Sequence, residues 1–246
     1  MSGHNKWSTI NRTKGATDAK RSKIFSKIIK EISIAVKEGG SDPVGNARLR
    51  LALNNARGSN MPKDNIQRAL SKADKDSSAL QEVTYEGYAP HGIAVFVECL
   101  TDNPQRSVSN IRSLFNKRGG NMGTNGSVAF MFGRKGIITV PKGNLNTEEF
   151  ELEMIDAGIE DLEVQDDMFV ITTAMEDFGA VQRKLEQMGL EAENAELQRI
   201  PHETKTISTE AAVKVLRLIE EFEEDEDVQN VYHNLEVTDE IMDAMP

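Results

Sequence analysis

The side chains best suited to bind another molecule are basic and concentrated near the start of the chain. Seven occur within the first 27 positions, opposed by a single acidic residue, Asp18. They are Lys6, Arg12, Lys14, Lys20, Arg21, Lys23 and Lys27. Cations at this density can neutralise several phosphates of a nucleic acid. Solvated helix faces usually mix both signs of charge, so we expect this segment to bind phosphate.

The only tryptophan, Trp7, lies within the same basic segment. Its ring could stack on a base or a ribose, as aromatic side chains do in single-stranded nucleic-acid sites. The alternative is that it anchors the N-terminal arm to the core, which is the commoner role for a lone tryptophan near a terminus. Both roles are open, and we favour the anchor.

Other arrangements that could indicate catalysis have simpler explanations. The glycine-rich segment 118–127 follows a helix and lacks the Lys-Ser/Thr ending of a phosphate-binding loop. Cys99 alternates with Val95 and Val97 along a strand, which predicts a buried thiol. The histidines are scattered without metal-ligand spacing. We therefore expect no catalytic residue, no metal site and no cofactor.

The acidic net charge of −11 conceals an uneven distribution along the chain. Residues 1–80 hold 16 basic and 7 acidic residues, whereas residues 141–246 hold 7 basic and 29 acidic ones. Such asymmetry is typical of proteins that contact nucleic acid. The apolar runs are too short to span a bilayer, and the single Cys99 indicates a reducing compartment, so we expect a cytoplasmic protein.

Residues 1–76 predict a basic three-helix bundle behind an N-terminal arm. A helix over residues 17–38 places Ile24, Ile28 and Ile32 on one face. The opposite face carries Lys20, Lys23, Lys27 and Lys30. A second helix ends at Gly58 and a third begins near Pro62. Their candidate nucleic-acid contacts are Arg48, Arg50, Lys63 and Arg68, but the turn between them is not diagnostic of a helix-turn-helix motif.

After residue 80 the hydrophobic period changes to that of an α+β protein. Residues 136–203 have the order βαββαβ, which is the ferredoxin-like pattern. Predicted strands at 83–88, 93–100, 127–132, 206–207 and 228–235, with helices at 104–118 and 209–222, flank it. A helix, an acidic turn and a strand occur in both 181–197 and 213–232, so the tail could complete the unit begun at residue 83.

The predicted fold is therefore α+β, with a three-helix bundle followed by two ferredoxin-like α+β domains, one inserted within the other. The expected domains are residues 1–76, residues 82–134 together with 204–240, and the inserted acidic domain 136–203.

Several sequence blocks resemble those of the YebC/PmpR family. They are Gly3-His4 with Lys6-Trp7, Asp18-Ala19-Lys20-Arg21, Asn60-Met61-Pro62-Lys63-Asp64-Asn65-Ile66, Tyr85-Glu86-Gly87-Tyr88, Val97-Glu98-Cys99-Leu100-Thr101-Asp102-Asn103, and Gly119-Gly120-Asn121 with Asn125-Gly126-Ser127-Val128-Ala129. The resemblance extends from about residue 2 to residue 240.

The resemblance implies a helical N-terminal domain, two α+β domains and a non-enzymatic cytoplasmic regulator of gene expression. Two partners stay open. The basic bundle could bind duplex DNA, as expected of a transcriptional regulator, or it could contact ribosomal RNA or tRNA as part of a ribosome-associated translation factor. The sequence leaves the oligomeric state undetermined.

Overall fold

The computed structural model describes residues 18–75, 80–165 and 167–245, without the side chains of residues 18–20, 74 and 75. In chain order its helices and strands are α1 (Asp18–Gly39), α2 (Ala47–Gly58), α3 (Lys63–Lys75), β1 (Gln81–Ala89), β2 (Ile93–Thr101), α4 (Pro104–Lys117), β3 (Asn121–Met122), β4 (Phe132–Pro141), α5 (Thr147–Ile155), β5 (Ile159–Gln165), β6 (Met168–Ala174), α6 (Phe178–Gln187), β7 (Asn194–Pro201), α7 (Thr209–Glu224), β8 (Val228–His233) and α8 (Asp239–Asp243).

The described residues form two compact units. The first takes those of segments 1–23, 78–133 and 200–246, and the second takes those of 24–77 and 134–199. Among the described residues, the chain is thus an α+β protein with N-terminal helices and two four-stranded sheets, as its hydrophobic periods predict. The boundaries of the three expected domains stay a prediction.

Helices α1, α2 and α3 pack around an apolar core formed by one face of each. Ile32, Leu49 and Ala69 represent the three helices in this core. The buried Asn46 joins α1 to α2, because its side chain donates to the carbonyls of Ala35 at 2.7 Å and Gly40 at 2.8 Å and accepts from the Leu49 N–H at 3.0 Å. One side chain thereby caps the start of α2 and holds it against the end of α1.

The first sheet has the strand order β3-β1-β2-β8. Val97 of β2 lies opposite Val231 of β8, which is contributed by the C-terminal segment. Helices α4 and α7 cover one face of the sheet, with the Phe115 and Phe222 ring centroids 4.7 Å apart. Two helices on a four-stranded sheet is ferredoxin-like layering, but β1 leads directly into β2 without an α-helix between them, so the connectivity is not βαββαβ.

The second sheet has the strand order β5-β6-β4-β7. Helix α5 connects β4 to β5 and helix α6 connects β6 to β7, so the βαββαβ order gives the ferredoxin-like arrangement. Phe150 of α5 stacks on Phe169 of β6, with ring centroids 4.4 Å apart. Ile138, Ile171 and Val181 complete the centre of this core.

Two predicted strands are wrong. Residues 127–132 do not form a strand, since a 3-10 turn occupies Ala129–Met131 and β4 begins only at Phe132. The reason is that the Val128 and Ala129 amides donate to a carboxylate, that of Glu86, and cannot join a ladder. Residues 206–207 are also not a strand, because pairing there is limited to a bridge between Lys205 and Leu235.

Candidate nucleic-acid interface

Helix α1 separates an apolar face from exposed cations. Ile32 and Ala35 are fully buried, whereas the side chains of Arg21 and Lys23 are exposed. Lys27 and Lys30 are partly buried. The 100° turn per residue of an α-helix places Lys23, Lys27 and Lys30 out of phase with the apolar positions, whereas Arg21 lies in phase with them and is exposed near the start of the described helix.

Some of the predicted contact residues belong to the part of the chain that the structure does not describe. Lys6, Trp7, Arg12 and Lys14 lie outside the described residues, as does the side chain of Lys20, whose backbone belongs to α1. Their roles stay predictions.

Lys23 approaches a carboxylate within its own compact unit. Its ammonium lies 3.6 Å from a carboxylate oxygen of Glu224, and the two side chains are 50% and 70% exposed. Exposed ion pairs of this kind contribute little to stability and exchange readily with other partners. A phosphate could therefore replace Glu224 at low cost.

Arg48 connects α2 to α1 through two carboxylates. Its Nε donates to Glu31 at 2.7 Å, its Nη2 to the other oxygen of Glu31 at 3.2 Å, and its Nη1 to Glu38 at 2.7 Å. The forked guanidinium suits this bidentate geometry. Glu31 and Glu38 are seven residues apart on α1 and so share a face, which is the sequence signal for this interaction.

The other predicted arginines of α2 and α3 bind oxygen atoms close to them in sequence. Arg50 donates to the carbonyl of Pro43 at 2.9 Å and to that of Val44 at 3.2 Å. Arg68 donates to the Asp64 carbonyl at 3.2 Å and to the Asn65 side chain. Both guanidinium groups are exposed and add positive charge to the protein surface. Their hydrogen bonds to these oxygen atoms fix their orientation.

Lys63 lies at the start of α3 with its side chain exposed. Together with Arg50 and Arg68, it places exposed positive charge on α2 and α3 as well as on α1. Each of the three N-terminal helices therefore carries an exposed cation that is available for a phosphate contact.

The glycine-rich loop after α4 has its amides bound within the protein. Glu86 is 3% exposed, and its two carboxylate oxygens accept from the N–H groups of Gly126, Val128 and Ala129 at 2.7 to 2.8 Å. In a phosphate-binding loop such amides donate to the ligand, whereas here they donate to a carboxylate of the protein itself. The sequence gives no local signal for this role of Glu86, because the amides that it binds lie some 40 residues further along the chain.

The other side chains considered for catalysis or metal binding are Cys99, the histidines and the acidic residues. Cys99 is 2% exposed within the core of the first sheet, as predicted. Within residues 21–73, 80–165 and 167–245, no cluster of His, Cys, Asp and Glu is arranged to hold a metal ion. None of the described helices is long and apolar enough to cross a membrane.

Comparisons with known proteins confirm the resemblance inferred from the sequence blocks. Residues 5–76 match the family model described as "TACO1/YebC protein N-terminal domain", and residues 80–235 match "TACO1/YebC second and third domain". A "probable transcriptional regulatory protein" of Rubrobacter xylanophilus is 46% identical over 245 residues, covering 98% of both chains. One of the same name from Geotalea uraniireducens is 48% identical over 247 residues, covering 100% of both.

A solved structure is similar as well. The crystal structure of a conserved hypothetical protein from Aquifex aeolicus superposes with a TM-score of 0.82 at 41% identity, over 90% of this chain and 93% of that one.

Proposed function

Because this chain belongs to the TACO1/YebC family, we propose that it is a non-enzymatic regulator of gene expression that binds duplex DNA through its basic N-terminal segment and helices. The names of its relatives support a regulatory role. The observation that carries the proposal is the basic face of α1, on which the exposed Lys23 and the partly exposed Lys27 and Lys30 lie opposite the buried Ile32 and Ala35. We place this activity in the cytoplasm, where the Cys99 thiol stays reduced.

The charge distribution supports the same proposal. The basic first 80 residues would meet the phosphates, while the acidic residues of 141–246 would be repelled by them. Opposed charges of this kind orient a protein as it approaches a polyanion. If about seven cations displace counterions from duplex DNA, the logarithm of the affinity should fall with the logarithm of salt concentration at a slope of about −6.

The test is a salt series of binding to a mixed-sequence DNA duplex, with a triple variant in which Lys20, Arg21 and Lys23 are replaced by Ala. Removing three phosphate contacts should flatten the slope by about three. The matched control replaces three exposed or partly exposed cations of the acidic segment, Arg183, Lys205 and Lys214, by Ala, and its slope should stay at the wild-type value. A wild-type slope near zero, or equal slopes for both variants, would overturn the proposal.

A second candidate is a translation factor that contacts ribosomal RNA or tRNA. It is favoured by the guanidinium groups of Arg48, Arg50 and Arg68, whose donors already bind protein oxygen atoms. Such groups supply charge for a phosphate backbone but have fewer donors left to read base edges in a DNA groove. Sedimentation through a sucrose gradient separates the candidates, since only a ribosome-associated protein should travel with ribosomal peaks and lose that association in the triple variant.

A further inference from the structure

One face of α4 carries polar and basic side chains that bind nothing within the described residues. Gln105, Ser109, Arg112, Ser113 and Asn116 are all exposed and line a shallow depression. At 100° per residue they fall within an arc of about 100°. No side chain of these five forms a hydrogen bond or an ion pair with any residue that the structure describes. We call this set, with Lys117 at its border, the α4 polar face.

The rest of α4 is occupied. Ser107, Ile111 and Phe115 are buried against the first sheet. Arg106 binds Asp227 and Asp102, and Arg118, directly after the helix, binds Glu221. The ion pairs thus neutralise two cations of this region, while Arg112 lies on the unoccupied side and Lys117 lies at its border, where its charge helps to lower the pKa of Glu221.

The sequence of α4 is unusual in so acidic a chain. It contains Arg106, Arg112 and Lys117 and no Asp or Glu. The neighbouring helix α7 has five glutamates among its 16 residues. A helix face that merely needs solubility usually mixes charge signs, so a face without carboxylates fits an anionic partner.

We propose that the α4 polar face is a second contact surface for the backbone of duplex DNA, additional to the N-terminal helices and resting on the function proposed above. The hydroxyl and amide groups would donate to phosphate oxygens, as such side chains commonly do, and Arg112 and Lys117 would neutralise two phosphates. From Gln105 to Asn116 the helix rises about 16 Å, enough to follow several phosphates of one strand.

The experiment compares two variants of the full chain on the same mixed-sequence duplex. The first replaces Arg112 and Lys117 by Ala. Losing two phosphate contacts should flatten the salt slope by about 1.8 and lower the affinity at low salt. The control replaces Lys214 and Arg217 of α7, exposed cations that change the net charge equally, and it should keep the wild-type slope.

The outcomes separate this inference from the proposed function. If the triple variant of Lys20, Arg21 and Lys23 flattens the slope but the Arg112/Lys117 variant does not, the α4 contact is wrong and the proposed function stands. If both variants flatten it, and combining them flattens it by about 4.5, both surfaces contact the duplex. If the α4 variant weakens binding to a structured RNA or an acidic peptide but not to the duplex, the commitment to DNA is overturned.

Because all the substituted α4 side chains are exposed, the variant should fold. Its thermal unfolding midpoint should match that of the wild type, and a variant carrying Gln in place of Arg112 and Lys117 provides a second version with longer polar side chains. An unchanged slope in both versions would overturn the inference.

Discussion

Asn55 of α2 and Ala195 of β7 exchange two hydrogen bonds within one compact unit. The Asn55 amide donates to the Ala195 carbonyl at 2.8 Å, and the Ala195 N–H donates to the Asn55 side-chain oxygen at 2.9 Å. Strand β7 is at the edge of its sheet, so its outward backbone groups lack a neighbouring strand. The asparagine side chain takes the place of a strand partner there and connects the N-terminal helices to the second sheet.

Replacing Asn55 by Ala should lower the free energy of unfolding by about 2 kcal/mol, because two backbone groups lose their partner together. Denaturant unfolding measures the change. The control is Asn54→Ala, since within the described residues the Asn54 side chain accepts only from the exposed Arg57, and its effect should stay within about 0.5 kcal/mol. Equal losses in the two variants would contradict the assigned role.

Gly58 at the end of α2 should not tolerate a methyl group. A Cβ built there lies 2.0 Å from the carbonyl oxygen of Glu193, just before β7. Gly58→Ala should therefore destabilise the protein by about 1–3 kcal/mol through overpacking, although Gly→Ala in helices usually stabilises.

The contrasting substitution is Gly179→Ala in α6, where the nearest atom to a new Cβ is at 3.6 Å, an ordinary contact. It should be neutral or stabilising by up to about 1 kcal/mol. Thermal unfolding of both variants checks the opposite signs, and a stabilised Gly58→Ala protein would show that α2 does not approach residue 193 so closely.

Glu86→Gln should loosen the glycine-rich loop. The carboxylate accepts three amide hydrogen bonds, and a side-chain amide has only one oxygen to offer, so we expect a loss of about 2–3 kcal/mol. Hydrogen exchange should accelerate at the amides of Gly126, Val128 and Ala129. Glu82→Gln, on an exposed position of the same strand, is the control and should leave those amides protected.

Tyr85 should make stability depend on pH in the alkaline range. Burial raises the pKa of its phenol above the ordinary value of 10.0, and the nearby Cys99 and Asp227 raise it further. Because the folded-state pKa exceeds the unfolded one, this contribution to stability is complete below pH of about 10 and is lost as pH rises through the folded-state pKa. An alkaline titration of phenolate absorbance should lose one late-ionising component in Tyr85→Phe and keep it in Tyr88→Phe.

Local sequence patterns predicted the α+β class and most elements. Four-residue spacing of Ile24, Ile28 and Ile32 sufficed for α1, because it reflects burial of one helix face. A continuous apolar run sufficed for β2, because both faces of that strand are buried. The segment 127–132 was mispredicted because its amides bind the side chain of Glu86, some 40 residues away in sequence. No local pattern encodes such a partner.

In the candidate interface, too, local sequence determined some features and tertiary packing determined others. The sequence alone determined where the cations lie along the chain, that Lys20, Lys23, Lys27 and Lys30 share a helix face, and that most acidic residues lie elsewhere, since charge and period are local properties. Only the tertiary structure decided that Arg48 binds Glu31 and Glu38, that Asn55 pairs with the edge of β7, and that the α4 polar face stays unoccupied. Those outcomes depend on which segments pack together, and that is set by burial of the combined cores rather than by any single segment.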